Sequence, residues 1–326
     1  MELDVRDRDM ILAWKDLLGA PIILNLYRTS DERSKEIAGF CEILKELLPD
    51  VRIVPEQGAD SALPSFAIGE RWRFWAVPVG NELGPFLELL AMQARGRADL
   101  SNETQKTLEK VRLAANFKVF VTPSCPFCPE VVRQVQQFPL VRPNINVDII
   151  DGSLFPELAQ QQGVRSAPTV ILGDQFRWSG SIVLPELLNA LVHRDPTRLS
   201  ADEILSIIKE GQAVHLASLM LQENLIFPAY LELLRHPNWS ERLGAIVVLE
   251  HLAEENQQLA KTACAQILDY LETAEGPVKG DLIYLVGLAG CGEALNFLKQ
   301  LLAVEQSADT REVLLEALDK LGVQDY

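Results

Sequence analysis

The chain has 326 residues, 48% of them apolar, which is long for one domain and enough for two or three with cores of their own. Its 30 basic and 46 acidic side chains leave a net charge of −16, which argues against nucleic acid or an anionic membrane as partner. No apolar run approaches the length needed to span a bilayer. The start of the chain is charged and has no signal-peptide pattern, so a cytoplasmic, reducing setting is expected, where a Cys-x-x-Cys pair is more often catalytic than structural.

In chain order, apolar residues at Met10, Ile11, Trp14, Leu17 and Leu18 predict an amphipathic helix over 7–18. A strand over 22–27, a helix over 31–48 and a short strand over 51–54 follow. Residues 62–74 read as two strands joined at Gly69-Glu70, and a helix over 82–94 closes the unit. After a linker helix over 102–115 the order repeats: a strand from Phe117, a helix after the cysteine pair, a strand over 145–150, a short helix over 154–161 and a second hairpin over 166–178. Laid on the first hairpin without a gap, Pro168 meets Pro64, Gly173-Asp174 meets Gly69-Glu70, and Arg177-Trp178 meets Arg73-Phe74. Two tandem copies of one βαβ–ββα unit are expected.

The chemistry centres on Cys125-Pro126-Phe127-Cys128. The run Val119-Phe120-Val121 predicts a buried strand, and Val131, Val132, Val135 and Phe138 recur at helical spacing. The pair therefore falls where a strand ends and a helix begins. Unpaired N–H groups and the helix dipole favour an anion there, so a reactive thiolate is expected at Cys125. Cys128 faces the same side and can resolve a mixed disulfide formed at Cys125. A zinc half-site and a pair of buried structural thiols are the other readings. Zinc needs about four ligands, whereas there is no second cysteine pair and His193, His215, His236 and His251 share no metal-type spacing, so no metal is expected. Registering the two first strands puts Ser30 on Ser124, Asp31 on Cys125 and Ser34 on Cys128, so the first copy keeps the frame without the thiols. Cys41 then falls on Val135, a core position.

From Ser200 the pattern is helical throughout, opening with a capping box at Ser200-Ala201-Asp202-Glu203. Arg242, Ala245, Leu249 and Leu252 are echoed by Lys279, Leu282, Val286 and Ala289, and again by Arg311, Leu314, Leu318 and Leu321. Gly290 and Gly322 read as C-cap residues, and partner helices are expected over 259–271 and 293–302. Cys264 reads as a packing residue and Cys291 as a thiol at a turn, with no partner legible for it.

The motif Cys-Pro-Phe-Cys with the later Ala167-Pro168-Thr169 resembles the thioredoxin/glutaredoxin superfamily. The resemblance implies a cis proline at Pro168 and a substrate-binding wall of Pro123, Pro126, Phe127, Pro168 and Thr169. Two fused units, only the second with Cys-x-x-Cys, are similar to the N-terminal domain of bacterial alkyl hydroperoxide reductase flavoproteins; archaeal protein disulfide oxidoreductases share the tandem layout. Ala76-Val77-Pro78-Val79-Gly80-Asn81-Glu82-Leu83 resembles a segment of those flavoprotein domains, which implies Glu82 near the cysteines as a third catalytic residue. A first-turn carboxylate stabilised by the helix dipole is the other reading of Glu82, and Asn81 stands where that segment has His. The helical tail resembles HEAT-type repeats.

The expected fold class is therefore α/β plus all-α: a thioredoxin-like unit without Cys-x-x-Cys over 1–98, one with it over 99–198, and HEAT-like repeats over 199–326. The expected function is thiol–disulfide oxidoreduction by Cys125 and Cys128 on a protein disulfide. The resemblance suggests a peroxiredoxin as acceptor and a flavoprotein reductase or glutathione as the external reductant. No glycine-rich dinucleotide fingerprint occurs, so no cofactor beyond a Cys125–Cys128 disulfide is expected. The alternatives are a redox-sensing or redox-inert scaffold acting through the helical repeats, and glutathione-assisted iron–sulfur binding through Cys125.

Overall fold

A computed structural model describes residues 3–56, 63–173 and 175–322. The chain divides into two compact units, residues 1–194 and 195–326. Ala62 and Asp174, which enter the hairpin comparison, lie outside the described residues.

The first unit begins with helix α1 (Val5–Ala13), capped by Asp4, whose carboxylate accepts from the Asp7 N–H at 2.7 Å. Then come β1 (Ile22–Tyr27), α2 (Arg33–Leu47), β2 (Val51–Glu56), β3 (Ser65–Ile68), β4 (Trp72–Trp75) and α3 (Leu83–Arg95). Helix α4 (Asn102–Leu108) leads to β5 (Ala115–Val121), α5 (Cys128–Val135), α6 (Phe138–Val141), β6 (Ile145–Asp151), α7 (Pro156–Gln161), β7 (Thr169–Leu172), β8 (Phe176–Ser179) and α8 (Leu184–Val192). The linker helix expected over 102–115 thus stops at Leu108. Ala115 is instead the first strand residue, opposite Ile145.

The eight strands make one sheet in the order β2-β1-β3-β4-β6-β5-β7-β8. In each half the first strand pairs parallel with the second and antiparallel with the third, and the third and fourth form a hairpin. The hairpin registers agree: Phe66 faces Phe74 as Val170 faces Trp178, and Ile68 faces Trp72 as Leu172 faces Phe176. Both hairpins turn on a left-handed glycine, Gly69 and Gly173, where a Cβ would strain the backbone. The halves join through parallel β4–β6 pairing, Trp72 to Val147 through Trp75 to Ile150. Consecutive residues Val119, Phe120 and Val121 are all buried, as strands covered on both faces require. Phe40, Phe66, Phe74 and Phe86 pack ring against ring in the first half, with centroids 4.9–6.2 Å apart.

One expectation shifts here. Strand pairing sets Leu24 level with Phe117 rather than with Lys118, because Ile68 faces Leu24 and its hairpin equivalent Leu172 faces Phe117. The strand-to-helix turn of the second half is longer by one residue, which restores the frame at the cysteines. There Ser34 Oγ accepts the Thr29 N–H at 2.9 Å, and the Cys128 sulfur is hydrogen-bonded by the backbone of Thr122.

The second unit consists of α9 (Ala201–Lys209), α10 (Ala213–Glu223), α11 (Pro228–Leu233), α12 (Trp239–Glu255), α13 (Gln257–Ala260), α14 (Cys264–Thr273), α15 (Gly276–Ala289), α16 (Leu295–Val304) and α17 (Ala308–Lys320). Ser200 and Glu203 close the capping box on α9. The echoed apolar positions within α12, α15 and α17 are buried, Leu321 just past α17 is half-buried, and Gly287 lets α15 approach the α17 backbone: a Cβ there would lie 2.8 Å from Ala317 Cα. Cys264 and Cys291 are buried and joined as a disulfide, which corrects the reading of one as packing and the other as an exposed thiol. Their separation of 27 residues carries no local signal; the turn after α15 brings them together. Replacing both by alanine is predicted to cost the helical unit about 3 kcal/mol through the loop it leaves open. The measurement is the urea midpoint of helical circular dichroism in the full chain; an unchanged midpoint would contradict the pairing.

Candidate dithiol site

Strand β5 delivers the chain to a turn over 122–127, and Cys125 N–H closes it on Thr122 O at 3.0 Å. Helix α5 starts at Cys128, with Pro129 in its first turn, where a missing N–H costs nothing. Val131, Val132 and Val135 bury its inner face. The Cys125 sulfur stands just ahead of the helix and accepts the Cys128 N–H at 3.2 Å; its own thiol faces Ala167 O at 3.6 Å. Both cysteines are free thiols. Cys125 retains 8% of its surface and Cys128 none, so both are buried and Cys125 is the less enclosed. Burial foremost, then its hydrogen bond with Cys125, pushes the Cys128 thiol up. Cys41, sealed in the α2 core, is pushed up to about 12, mainly by burial.

Around the sulfur, Ser124, Pro126 and Phe127 are exposed, Phe127 to 66%. Pro123 is half-buried. The Ala167–Pro168 peptide is cis, and Pro168 is buried beneath the site. Thr169 is also buried, its hydroxyl donating to Ser166 O at 2.8 Å. Of the five expected wall residues, Pro126 and Phe127 are exposed, Pro123 is half-buried, and Pro168 and Thr169 are buried.

The first half supplies a flank. Gly80, with φ of +59°, donates its N–H to Asp7 Oδ2 at 2.9 Å. Asn81 then donates its side-chain amide to Cys125 O at 3.3 Å and its N–H to Pro123 O at 3.4 Å. A Cβ on Gly80 would lie 3.4 Å from Pro123 O, so the two loops touch. The next residue, Glu82, is buried, with Oε1 lacking any hydrogen-bond partner among the described residues. It lines a pocket with Phe74, Val77, Phe86, Val121, Pro123 and Asp151. Burial pushes Glu82 up to about 7, against the pull of Arg133 and with a further push from Asp151. Its charge in turn helps to raise Cys128. Arg133 is held by Glu88 through two bonds of 2.8 and 2.9 Å, and Trp72 Nε1 donates to Gln136 O at 2.8 Å, tying α5 to the first half. Asp151, at the end of β6, was missed from sequence; its Oδ1 accepts from the Ser153 and Leu154 N–H groups at 2.8 and 3.2 Å. Among the described residues no three of His, Cys, Asp or Glu gather as a metal site, and no helix is long and apolar enough to cross a membrane.

Residues 115–193 match the family model described as the thioredoxin domain. This part of the chain is a thioredoxin-like domain. An alkyl hydroperoxide reductase component of Pseudomonas aeruginosa is 21% identical over 218 residues, covering 64% of this chain and 42% of that protein. A Bacillus subtilis protein named NADH dehydrogenase is 24% identical over 196 residues, covering 58% of this chain and 38% of its own length. The chain thus spans about two fifths of each of these relatives. Among solved structures, the NTD_N/C domain of the Enterococcus faecalis alkylhydroperoxide reductase superposes along its whole length on 58% of this chain, with a TM-score of 0.52 and 20% identity, a likeness of fold.

These relatives overturn the expectation of chemistry without a cofactor. The proteins matched carry reductase and dehydrogenase names, one of them named for NADH. Neither the turn before α2 nor the turn before α5 offers the cradle for such a group. The strand-to-helix turns over 28–32 and 122–127, where a diphosphate would need glycines, contain none, and the second is filled by the cysteines. The unpartnered buried atom beside that turn is a carboxylate oxygen, which would repel a phosphate.

Glu82 has a stability signature. Its proton is held up to about 7 in the fold against an ordinary 4.5, so the native state binds protons more tightly than the unfolded chain. Its stabilising contribution is full below about pH 4.5 and is lost as pH rises through about 7. Relative to Glu82→Gln, the wild type is predicted to lose on the order of 3 kcal/mol across that window. Urea unfolding of both proteins at several pH values checks this; parallel stability curves would contradict it.

Proposed function

We propose that this chain is a thiol–disulfide oxidoreductase whose working pair is Cys125 and Cys128. The reading rests on one observation: two free thiols at a helix start, the Cys125 sulfur accepting the Cys128 N–H, with Cys125 the less enclosed of the two. The Cys125 thiolate attacks a substrate disulfide, forming one S–S bond and releasing one substrate sulfur as a thiolate that takes a proton from solvent. The Cys128 thiol gives up its proton and attacks the Cys125 sulfur, forming the Cys125–Cys128 disulfide and releasing the second substrate sulfur as a thiolate, protonated in the same way. Two electrons from an outside reductant return the pair to thiols. Glu82 is proposed as the acceptor of the Cys128 proton, being buried beside it with a free oxygen and a proton affinity suited to exchange near neutrality. Pro126 and Phe127 are proposed to meet the substrate protein beside the sulfur, over Pro123, Pro168 and Thr169.

The proposed organisation is two tandem thioredoxin-like units, 1–98 and 99–198, with HEAT-like repeats over 199–326. The matched hairpin registers and the Ser34 and Cys128 hydrogen bonds support the duplication. In the helical unit the echoed basic residues each grip a neighbouring segment. Arg242 donates to His236 O at 2.6 Å and pairs with Asp281, Lys279 pairs with Glu305, and Arg311 donates to Leu302 O at 2.6 Å. Such recurrence supports a repeat array, whose use would be partner binding. The resemblance to alkyl hydroperoxide reductase flavoproteins suggests a peroxiredoxin as acceptor and a flavoprotein reductase or glutathione as donor, in a cytoplasmic setting.

Cys125→Ser is predicted to abolish insulin-disulfide reduction while leaving the thermal transition unchanged. Cys128→Ser is predicted to accumulate a mixed disulfide on Cys125, seen as a reductant-sensitive band. Activity surviving in Cys125→Ser would refute the assignment.

A further inference from the structure

The half without the Cys-x-x-Cys pair keeps a loop where the other carries it, and that loop is built on charge. The Asp31 carboxylate accepts the Arg33 N–H at 2.9 Å, Arg33 Nε at 2.8 Å and a guanidinium nitrogen at 2.6 Å. These bonds hold Asp31 down at about 2 and raise Arg33, so the pair stays ionised at any pH the protein meets. Arg33 then reaches out of its own half. It donates to Leu154 O at 3.0 Å, pairs with Glu157 at 2.6 Å, and its guanidinium lies 4.3 Å from the centre of the buried Phe155 ring.

That grip falls on the turn that orders Asp151. The Leu154 N–H and both donors of Ser153 converge on Asp151 Oδ1. Asp151 lines the pocket beside Glu82. We propose that Arg33 is a positioning residue for the dithiol site: by pinning Leu154 it fixes the turn that holds the Asp151 carboxylate in the pocket, so the half without the cysteine pair sets the charge that Glu82 meets. The consequence for catalysis rests on reading Cys125 and Cys128 as the working pair; the linkage itself does not.

Glu82 is faced by Asp151 from the end of β6 and by Arg133 and Cys128 from α5. Glu88 on α3 holds Arg133, and Asp7 on α1 engages Gly80 just upstream. Asp151 and Arg133 are thus the opposed charges that bear on it. Releasing the turn frees Asp151 to swing toward water and leaves Arg133 in place, so Glu82 should ionise at lower pH.

The test is a carbon-13 carboxyl NMR titration of Glu82, assigned by the signal lost in Glu82→Gln. Arg33→Gln and Asp151→Asn are each expected to lower the midpoint by about one pH unit. In the Asp151→Asn background, Arg33→Gln should add no further shift, because the charge it positions is gone. If Arg33→Gln does not fold, Arg33→Lys, which keeps a cation over Phe155 but loses the fork, carries the same test with a smaller shift. An unchanged midpoint in a folded Arg33 variant, or an equal shift with and without Asp151, would overturn the proposal. No turnover is measured, so this result stands apart from any failure of the dithiol reading.

Discussion

The hydrogen bond from the Cys128 N–H to the Cys125 sulfur, at 3.2 Å, sets the two cysteines in order at the start of α5. It directs the first amide of α5 at Cys125 and leaves Cys128 sealed behind. A helix start is the place where an N–H has no partner of its own, so the sulfur satisfies a donor the fold would otherwise leave open. The remaining features of the site serve this contact. The Asn81 bonds steady the peptide that carries Cys125, and the Thr122 backbone hydrogen-bonds the sulfur of Cys128.

Two halves are needed to build it. Parallel pairing of β4 with β6 continues one sheet from half to half. The loop after β4 is thereby brought against the cysteine turn, with Gly80 and Asn81 at the contact and Glu82 in the pocket behind. The traffic runs the other way through Arg33, which leaves the first half to hold Leu154 and Glu157 in the second. A half that lacks the cysteine pair is thus bound into the surroundings of the one that has it.

The legible part of this was local. A β-branched run ending at Thr122-Pro123 and a helical period beginning after Pro129 placed the cysteines at a strand-to-helix boundary, and short-range patterns of that kind survive without tertiary information. The capping box at Ser200 and the left-handed Gly290 were legible for the same reason. What the sequence did not reveal is long-range. Asp151 and Arg33 look like ordinary strand-end and helix-start residues until the sheet sets them beside the site. The Cys264–Cys291 bond joins the start of α14 to the turn after α15, and the strand register differs by one because the turns over 28–32 and 122–127 differ in length. Glu82 was reached through resemblance, and its free oxygen and raised proton affinity come from burial that no spacing encodes.

The ordering of the two thiols is the point on which the account stands. Brief treatment of the reduced full-length protein with iodoacetamide, followed by peptide mass spectrometry, reads that ordering directly. Cys125 should be modified roughly tenfold or more faster than Cys128 and Cys41, as an accessible thiol beside a helix start should be against buried ones. Alkylation of Cys128 first, or of both at one rate, would contradict it.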